Sequence, residues 1–285
     1  MSDVISIDRE TLRKLQLKEL ESLIYFDEFC KKNNLTYFLL GGCVIGALRH
    51  GGFIPWDDDI DIIMPRDSWE KMLKLWKEQE SGSRFLMLKT DEHTFTGNTF
   101  ATLVDTSATL IKENQQHINV PKGIVTDIFP LDGCPDGKIA RYLQYYHAMI
   151  YSLFITEVIP TNHGKLIAFV SKILLSIFKS RKTRTKIWQK AEQKLKKYDF
   201  YTHEYCTELY AGPYYMRKKY PQQAFSSPVY HTFENLNVPI PCGYDIYLKT
   251  AFGDYMQIPP EDKQLPHHDL VALDLDKPYN INLEV

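Results

Sequence analysis

The chain has 285 residues, 44% of them hydrophobic and 25% charged, an ordinary globular make-up that excludes a disordered or collagen-like polypeptide. That length fits one large domain, or a core with an appended lobe, better than two full domains. Lys plus Arg number 34 against 36 Asp plus Glu, for a net charge of −2, so bulk nucleic-acid binding is not expected.

In chain order, the opening MSDVISIDRE is acidic and has no apolar stretch, so it does not read as a signal peptide. Apolar residues then recur at helical spacing from Leu12 through Leu15, Leu20, Leu23, Ile24 and Phe26 to Phe29, which predicts a long amphipathic helix ending near Asn33–Asn34. A short strand follows, Thr36 to Leu40, stopped by Gly41–Gly42. Cys43–Arg49 has helix composition and ends at Gly51–Gly52. Asp59 to Met64 reads as a strand closed by Pro65, and Ser68–Glu80 as a helix. Phe85–Lys89, Thr99–Asp105, Thr109–Lys112 and Ile124–Phe129 read as further strands. This half predicts an α+β (mixed α/β) core, a mixed sheet with helices packed on it. From Ile139 to about Lys197 the pattern is helical, broken at Pro160–Gly164, and from Tyr210 the Tyr- and Pro-rich stretch reads as loops with short elements. The predicted division is a catalytic core over 1–135, a helical lobe over 136–225 and a C-terminal segment over 226–285 that packs on the core. No run approaches the roughly 18 apolar residues of a membrane span. Cys30, Cys43, Cys134, Cys206 and Cys242 form no C-x-x-C pair, which argues against a disulfide framework or zinc site and for a reducing, cytoplasmic setting.

The informative stretch is Trp56-Asp57-Asp58-Asp59-Ile60-Asp61-Ile62-Ile63-Met64. In a strand, Asp59 and Asp61 project to one face while Ile60 and Ile62 project to the other. Two carboxylates at adjacent same-face positions repel unless a cation sits between them, and oxygen-only ligands suit Mg²⁺. A solvated acidic turn is the ordinary alternative, disfavoured here by the apolar residues alongside. Upstream, the strand ending at Gly41–Gly42 and feeding a helix leaves backbone N–H groups as an anion site that a phosphate can approach closely. Arg49 and His50, at the far end of that helix, are within reach of a second phosphate or the acidic loop. Asp127, in the β-like run Gly123-Ile124-Val125-Thr126-Asp127-Ile128-Phe129, stands where an isolated carboxylate is costly. It reads as a third metal ligand or general base, against the alternative of a buried acid paired with an Arg. Asp132, just before Gly133, reads as a turn residue, and Cys43 as a small buried hydrophobe.

The run GGCVIGALRHGGFIPWDDDIDIIMPR, the later DIFPLDG and the ending YLKTAFGDYMQIPPEDKQLPHH resemble the LicD family, which includes bacterial phosphocholine transferases and is similar to fukutin-type phosphotransferases. The resemblance runs from about residue 16 to residue 268. It implies a nucleotidyltransferase-type fold and Mg²⁺-dependent transfer of a phospho-alcohol from a CDP-linked donor, CDP-choline first, to a sugar hydroxyl. The acceptor would be a cell-surface glycan, a lipopolysaccharide or teichoic acid precursor, or a lipid-linked sugar. By position, Gly41 and Gly42 would hold donor phosphate, Asp59 and Asp61 would bind one or two Mg²⁺ ions, and Asp127 would be the third carboxylate. Arg49, Trp56, Asp57, Asp58, Arg66, Lys263 and His267 are family-like residues of less defined role.

Rival readings are nucleotidyl transfer with release of pyrophosphate and a catalytically silent nucleotide-binding scaffold. If the alcohol is choline, its quaternary ammonium calls for an aromatic cage, for which Tyr210, Tyr214, Tyr215 and Tyr220 are candidates, although Tyr-rich loops more often serve packing. The apolar stretch from Leu166 to Phe178 with Lys179, Arg181, Lys182, Arg184 and Lys186 after it suits an anionic membrane surface, with a core helix and solvated basic tail as the favoured competitor. Of the histidines only His267-His268 falls in a matched motif, and a surface loop is their ordinary reading.

Overall fold

The computed structural model describes residues 4–78, 82–160, 164–266 and 268–279. Helix α1 (Arg9–Asn33) starts at Asp8, whose carboxylate accepts the Thr11 N–H, and stops at Asn34 in the left-handed conformation. Its buried face recurs at helical spacing, Leu12, Leu15, Gln16, Glu19, Leu20, Leu23 and Phe26, and two of those positions are polar. Strand β1 (Phe38–Leu39) leads into α2 (Gly41–Arg49), and β2 (Ile60–Pro65) into α3 (Arg66–Lys77). Then come β3 (Phe85–Leu88), β4 (Ala101–Asp105), β5 (Thr109–Lys112) and the long β6 (Ile124–Cys134). Helices α4 (Lys138–Thr156), α5 (Lys165–Ile177) and α6 (Arg181–Leu195) precede β7 (Tyr205–Thr207), α7 (Pro213–Met216) and β8 (Tyr220–Pro221). The hairpin β9 (Pro228–Phe233) and β10 (Leu236–Pro241), helix α8 (Tyr244–Phe252) and β11 (Leu270–Asp274) close the chain.

The result is the mixed α+β architecture that the pattern predicts. The main sheet has the order β1-β2-β6-β4-β3, and β7 and β8 extend it from the far end of β6. β2 and β6 run parallel, with Asp61 opposite Asp127, while β4 is antiparallel to β6 and places Thr102 opposite Asp127. Asp61, Asp127 and Thr102 therefore form one row across three strands, because in-register partners share a face. Ile60, Ile62 and Ile63 are fully buried in the main core with Phe26, Phe38 and Leu39. A second pairing, β11 against β5, sets Leu270 opposite Lys112 and so carries the preceding residues of the C-terminal segment to the sheet's polar end.

Three expectations are corrected. The strand expected to stop at Phe129 continues to Cys134, and Asp132 lies inside it, fully buried and opposite Thr207 of β7, so it is no turn residue. Gly133 is required there by close approach: a Cβ would stand 2.3 Å from the Asp199 carbonyl oxygen. The chain beyond Tyr210 holds more regular structure than loops, since the Pro- and Tyr-rich stretch forms one hairpin of two six-residue strands and a nine-residue helix. Finally, α5 is not a core helix: Ser171 is its buried residue, and Leu166, Phe169, Val170 and Ile177 are exposed. No helix among the described residues is long and apolar enough to cross a membrane. All five cysteines are free thiols.

Candidate active site

A cavity of about 620 Å³ opens where the start of α2, the acidic end of β2, the segment after β7 and α8 converge. Asp57, Asp59 and Asp61 line it together with Gly41, Gly42, Arg49 and Trp56. Carboxylate oxygens of Asp57, Asp58 and Asp59 all lie within 4.8 Å of one another. The loop that holds them is fixed from α1, where Gln16 Nε2 donates to the Asp57 carbonyl at 2.9 Å and the Ile54 carbonyl at 3.3 Å. Cys43, buried on α2, accepts the Asp61 N–H on its sulfur at 3.4 Å and so holds β2 against the helix.

The glycine pair works in a specific way. A Cβ on Gly42 would stand 2.7 Å from Asp57 Oδ2, so this glycine makes room for the carboxylate. The Gly41 N–H donates to the Tyr247 hydroxyl at 3.2 Å, which ties the helix start to α8. Arg49 lines the cavity and donates from Nη1 to the carbonyls of Tyr255 and Gln257 at 3.1 and 3.2 Å, pinning the C-terminal segment to the rim.

Asp127 lies one strand away from Asp61. Its Oδ1 accepts the Thr102 hydroxyl at 2.9 Å and its Oδ2 is 3.9 Å from Lys112 Nζ. Lys112 Nζ is also 3.0 Å from His268 Nε2. The Nδ1 of the same imidazole faces Asp58 Oδ1 at 3.3 Å without a hydrogen bond between them. The His268 backbone N–H donates to the same carboxylate at 3.1 Å. His268 thus lies between acids and a lysine, where the sequence pattern predicts a surface loop. Lys112, Gln16 and buried Glu19 had no signal at all. Each is a polar position in an otherwise regular helix or strand, brought to the acids only by the tertiary fold.

Other candidates fall elsewhere. Arg66 is buried behind the cavity wall, paired to Asp132 through Nε at 2.8 Å and Nη2 at 2.7 Å, and it also donates to the Tyr210 hydroxyl. Lys263 is exposed on a single 3₁₀ turn, Glu261–Lys263, and does not line the cavity. His267 lies outside the described residues. Among the candidate tyrosines, Tyr210 and Tyr215 line the cavity, Tyr214 is exposed with its hydroxyl on the Ala251 carbonyl, and Tyr220 is fully buried.

The electrostatics are one-sided. Burial, then Asp57, pushes Asp59 up to about 6, and His268 and Lys112 offset this only in part. Burial, then Asp59 and Asp127, pushes Asp61 well above the usual carboxylate range. Burial, then Asp59, Asp58 and Asp57, does the same to Glu19, whose Oε2 has no hydrogen-bond partner. These acids hold their protons more tightly folded than unfolded. Their contribution to stability is therefore present below the ordinary carboxylate range near pH 4 and is lost as pH rises, through about 6 for Asp59 and through the raised ranges of Asp61 and Glu19. In EDTA the melting temperature is expected to fall between about pH 5 and pH 8, and an added divalent cation should restore it most at the upper end. His50 and His147, pushed down first by burial, act in the opposite sense but are only partly buried. A melting temperature that climbs across this window in EDTA would contradict the one-sided charge.

Geometry thus defines an α+β protein whose cavity gathers carboxylates at the end of a mixed sheet. Residues 34–134 match the family model described as "LicD/FKTN/FKRP, nucleotidyltransferase domain". The lipopolysaccharide cholinephosphotransferase LicD of Haemophilus influenzae is 32% identical over 266 residues, covering 90% of this chain and 96% of that protein. An uncharacterized protein of Rickettsia prowazekii is 34% identical over 70 residues, or 22% of this chain and 26% of its own length. One of Rickettsia typhi is 30% identical over 83 residues, or 26% and 27%. The chain belongs to the LicD family.

Proposed function

We propose that this chain transfers phosphocholine from CDP-choline to a sugar hydroxyl of a cell-surface glycan and releases CMP. The supporting observation is the set of acids Asp57, Asp59 and Asp61 that line the cavity, with Asp58 close to Asp57 and Asp59 and with Asp127 in register beside Asp61. An oxygen-only donor set in which burial and neighbouring acids raise the Asp59 and Asp61 carboxyls fits a hard divalent cation better than it fits water. Asp59 and Asp61 would hold Mg²⁺, with Asp127 as the third carboxylate and Asp57 and Asp58 adjoining. When bound, the ion supplies positive charge opposite a donor diphosphate.

The remaining work is positioning, because the CMP leaving group already activates the transferred phosphorus. The cavity rim formed by Gly41, Gly42 and Arg49 holds the donor phosphates in this reading. Asp127 either takes the acceptor's proton or completes the ligand set. Kinship with the H. influenzae cholinephosphotransferase over nearly the full chain supports both phosphocholine as the group moved and a lipopolysaccharide-type glycan as acceptor. The family model's description supports a nucleotidyltransferase-type core.

Incubating the chain with CDP-choline, Mg²⁺ and candidate glycolipids is expected to yield CMP and phosphocholine-labelled glycan. Pyrophosphate as product would replace the proposal with nucleotidyl transfer. No turnover of any CDP-alcohol would leave a nucleotide-binding scaffold. The exposed apolar face of α5, followed by the basic residues Lys179, Arg181 and Lys182, further supports contact with the anionic membrane surface that carries such an acceptor. Co-sedimentation with vesicles containing anionic lipid, lost in Phe169→Glu, is the expected result. Equal recovery with neutral vesicles would remove the charge argument.

A further inference from the structure

We propose that Glu208 and the aromatic rings around it form the subsite for the trimethylammonium group of the donated phosphocholine. The inference rests on the phosphocholine-transfer reading and names the residues that would recognise the group transferred. Glu208 follows β7 directly, is 3% exposed and lines the same cavity as Asp59 and Asp61. Its Oε1 has no hydrogen-bond partner, the buried Tyr220 hydroxyl is the one polar side chain that acts on its carboxyl, and no lysine or arginine pairs with it among the described residues. A buried carboxylate without a counter-charge is costly, so its retention at a cavity wall calls for a cation from outside.

The surroundings say which cation. Tyr215, Tyr247 and Phe252 line the cavity beside Glu208, with ring centroids 6.0 Å apart for Tyr215–Phe252 and 6.5 Å for Tyr247–Phe252. Phe100 and Phe129, 4.2 Å between centroids, add a further apolar wall. A metal ion would want several oxygens, and a primary ammonium would want acceptors for three N–H groups. Neither is well served by one carboxylate among rings. A quaternary ammonium donates no hydrogen bonds and is held by π-faces and a nearby negative charge. Burial pushes the Glu208 carboxyl up to about 7, and a bound permanent cation would favour its ionised form. The Tyr247 hydroxyl accepts the Gly41 N–H, so the ring wall adjoins the helix start assigned to donor phosphate, as the short phosphate-to-ammonium spacing of phosphocholine demands.

The test compares wild type, Glu208→Gln, Glu208→Asp and Tyr215→Leu. It measures kcat/KM for CMP release from CDP-choline, CDP-ethanolamine and CDP-glycerol, and calorimetric binding of phosphocholine and phosphoethanolamine without acceptor. Glu208→Gln and Tyr215→Leu are each expected to lower the choline-over-glycerol ratio of kcat/KM on the order of 10–100-fold. Both should weaken phosphocholine binding more than phosphoethanolamine binding, and Glu208→Asp should recover part of each loss. Equal losses on all three donors, or wild type without preference for choline, would overturn the subsite. Wild type that turns over no CDP-alcohol would refute the transferase reading, and the phosphocholine titration would still decide the subsite. Tyr215 is only half-buried, so its variant reports even if Glu208→Gln fails to fold.

Discussion

Asp61→Asn is expected to cut CMP release from CDP-choline on the order of 10³-fold, while its metal-free form melts several degrees higher than wild type. The two effects share one cause. Asp61 sits in a row with Asp127 and beside Asp59, and burial together with those charges pushes its carboxyl far up. Asn is nearly isosteric and hydrogen-bonds as a neutral group, so the substitution removes like-charge repulsion from a site that solvent reaches poorly. The same substitution deletes a ligand from the proposed cation site, and charge neutralisation is the main catalytic contribution available in phosphoryl transfer. Adding Mg²⁺ should stabilise wild type more than the variant and narrow or reverse the difference in melting temperature. Melting curves in EDTA and in Mg²⁺, alongside turnover, separate the possibilities. A variant that melts lower in EDTA and keeps its turnover would make Asp61 a structural acid. Sites of this kind trade stability for function.

The part of the site legible in the sequence is the part built from neighbours along the chain. Alternation in a strand puts Asp59 and Asp61 on one side and Ile60 and Ile62 on the other, and both aspartates line the cavity while both isoleucines are buried. The Gly41–Gly42 stop and the following helix were equally local signals. Lys112, Glu19 and Glu208 are not legible in the sequence, and His268 is legible only as part of a motif, because each reaches the site through pairing or packing across long sequence separations. His268 arrives only because β11 pairs with β5 at Leu270–Lys112, a register that no local pattern encodes. Asp132-Gly133 reads as a turn for a physical reason: Asp-Gly is a common turn dipeptide. Here the glycine answers to the Asp199 backbone, and the aspartate to Arg66, residues far away in sequence. The α5 helix misled in the opposite direction, since an apolar stripe is the same signal whether protein or another apolar phase covers it.

Arg66→Met is expected to destabilise the protein by about 3–5 kcal/mol, a larger cost than any substitution at the cavity rim. Asp132 is fully buried, and Arg66 accounts for both of its oxygens in a two-pronged contact. Removing the guanidinium strands that carboxylate among apolar neighbours and frees the Tyr210 hydroxyl as well. The pair also bolts together the ends of the two strands that matter, because Arg66 opens α3 directly after β2 while Asp132 sits on β6 just past the Pro65–Leu131 pairing. Losing it should loosen the register that places Asp61 beside Asp127, so turnover should fall further than the unfolded fraction alone explains. The companion variant, Arg66→Met with Asp132→Leu, replaces the ion pair by apolar groups and is expected to recover most of the stability. Urea denaturation of the two single variants and the double closes the cycle. A melting temperature lowered on the order of 10 °C in the single variants and regained in the double is the predicted pattern. If the double variant is as unstable as the singles, Arg66 contributes through packing on Trp69 and Tyr210, whose rings lie 5.0 and 4.9 Å from its guanidinium carbon, and not through its charge.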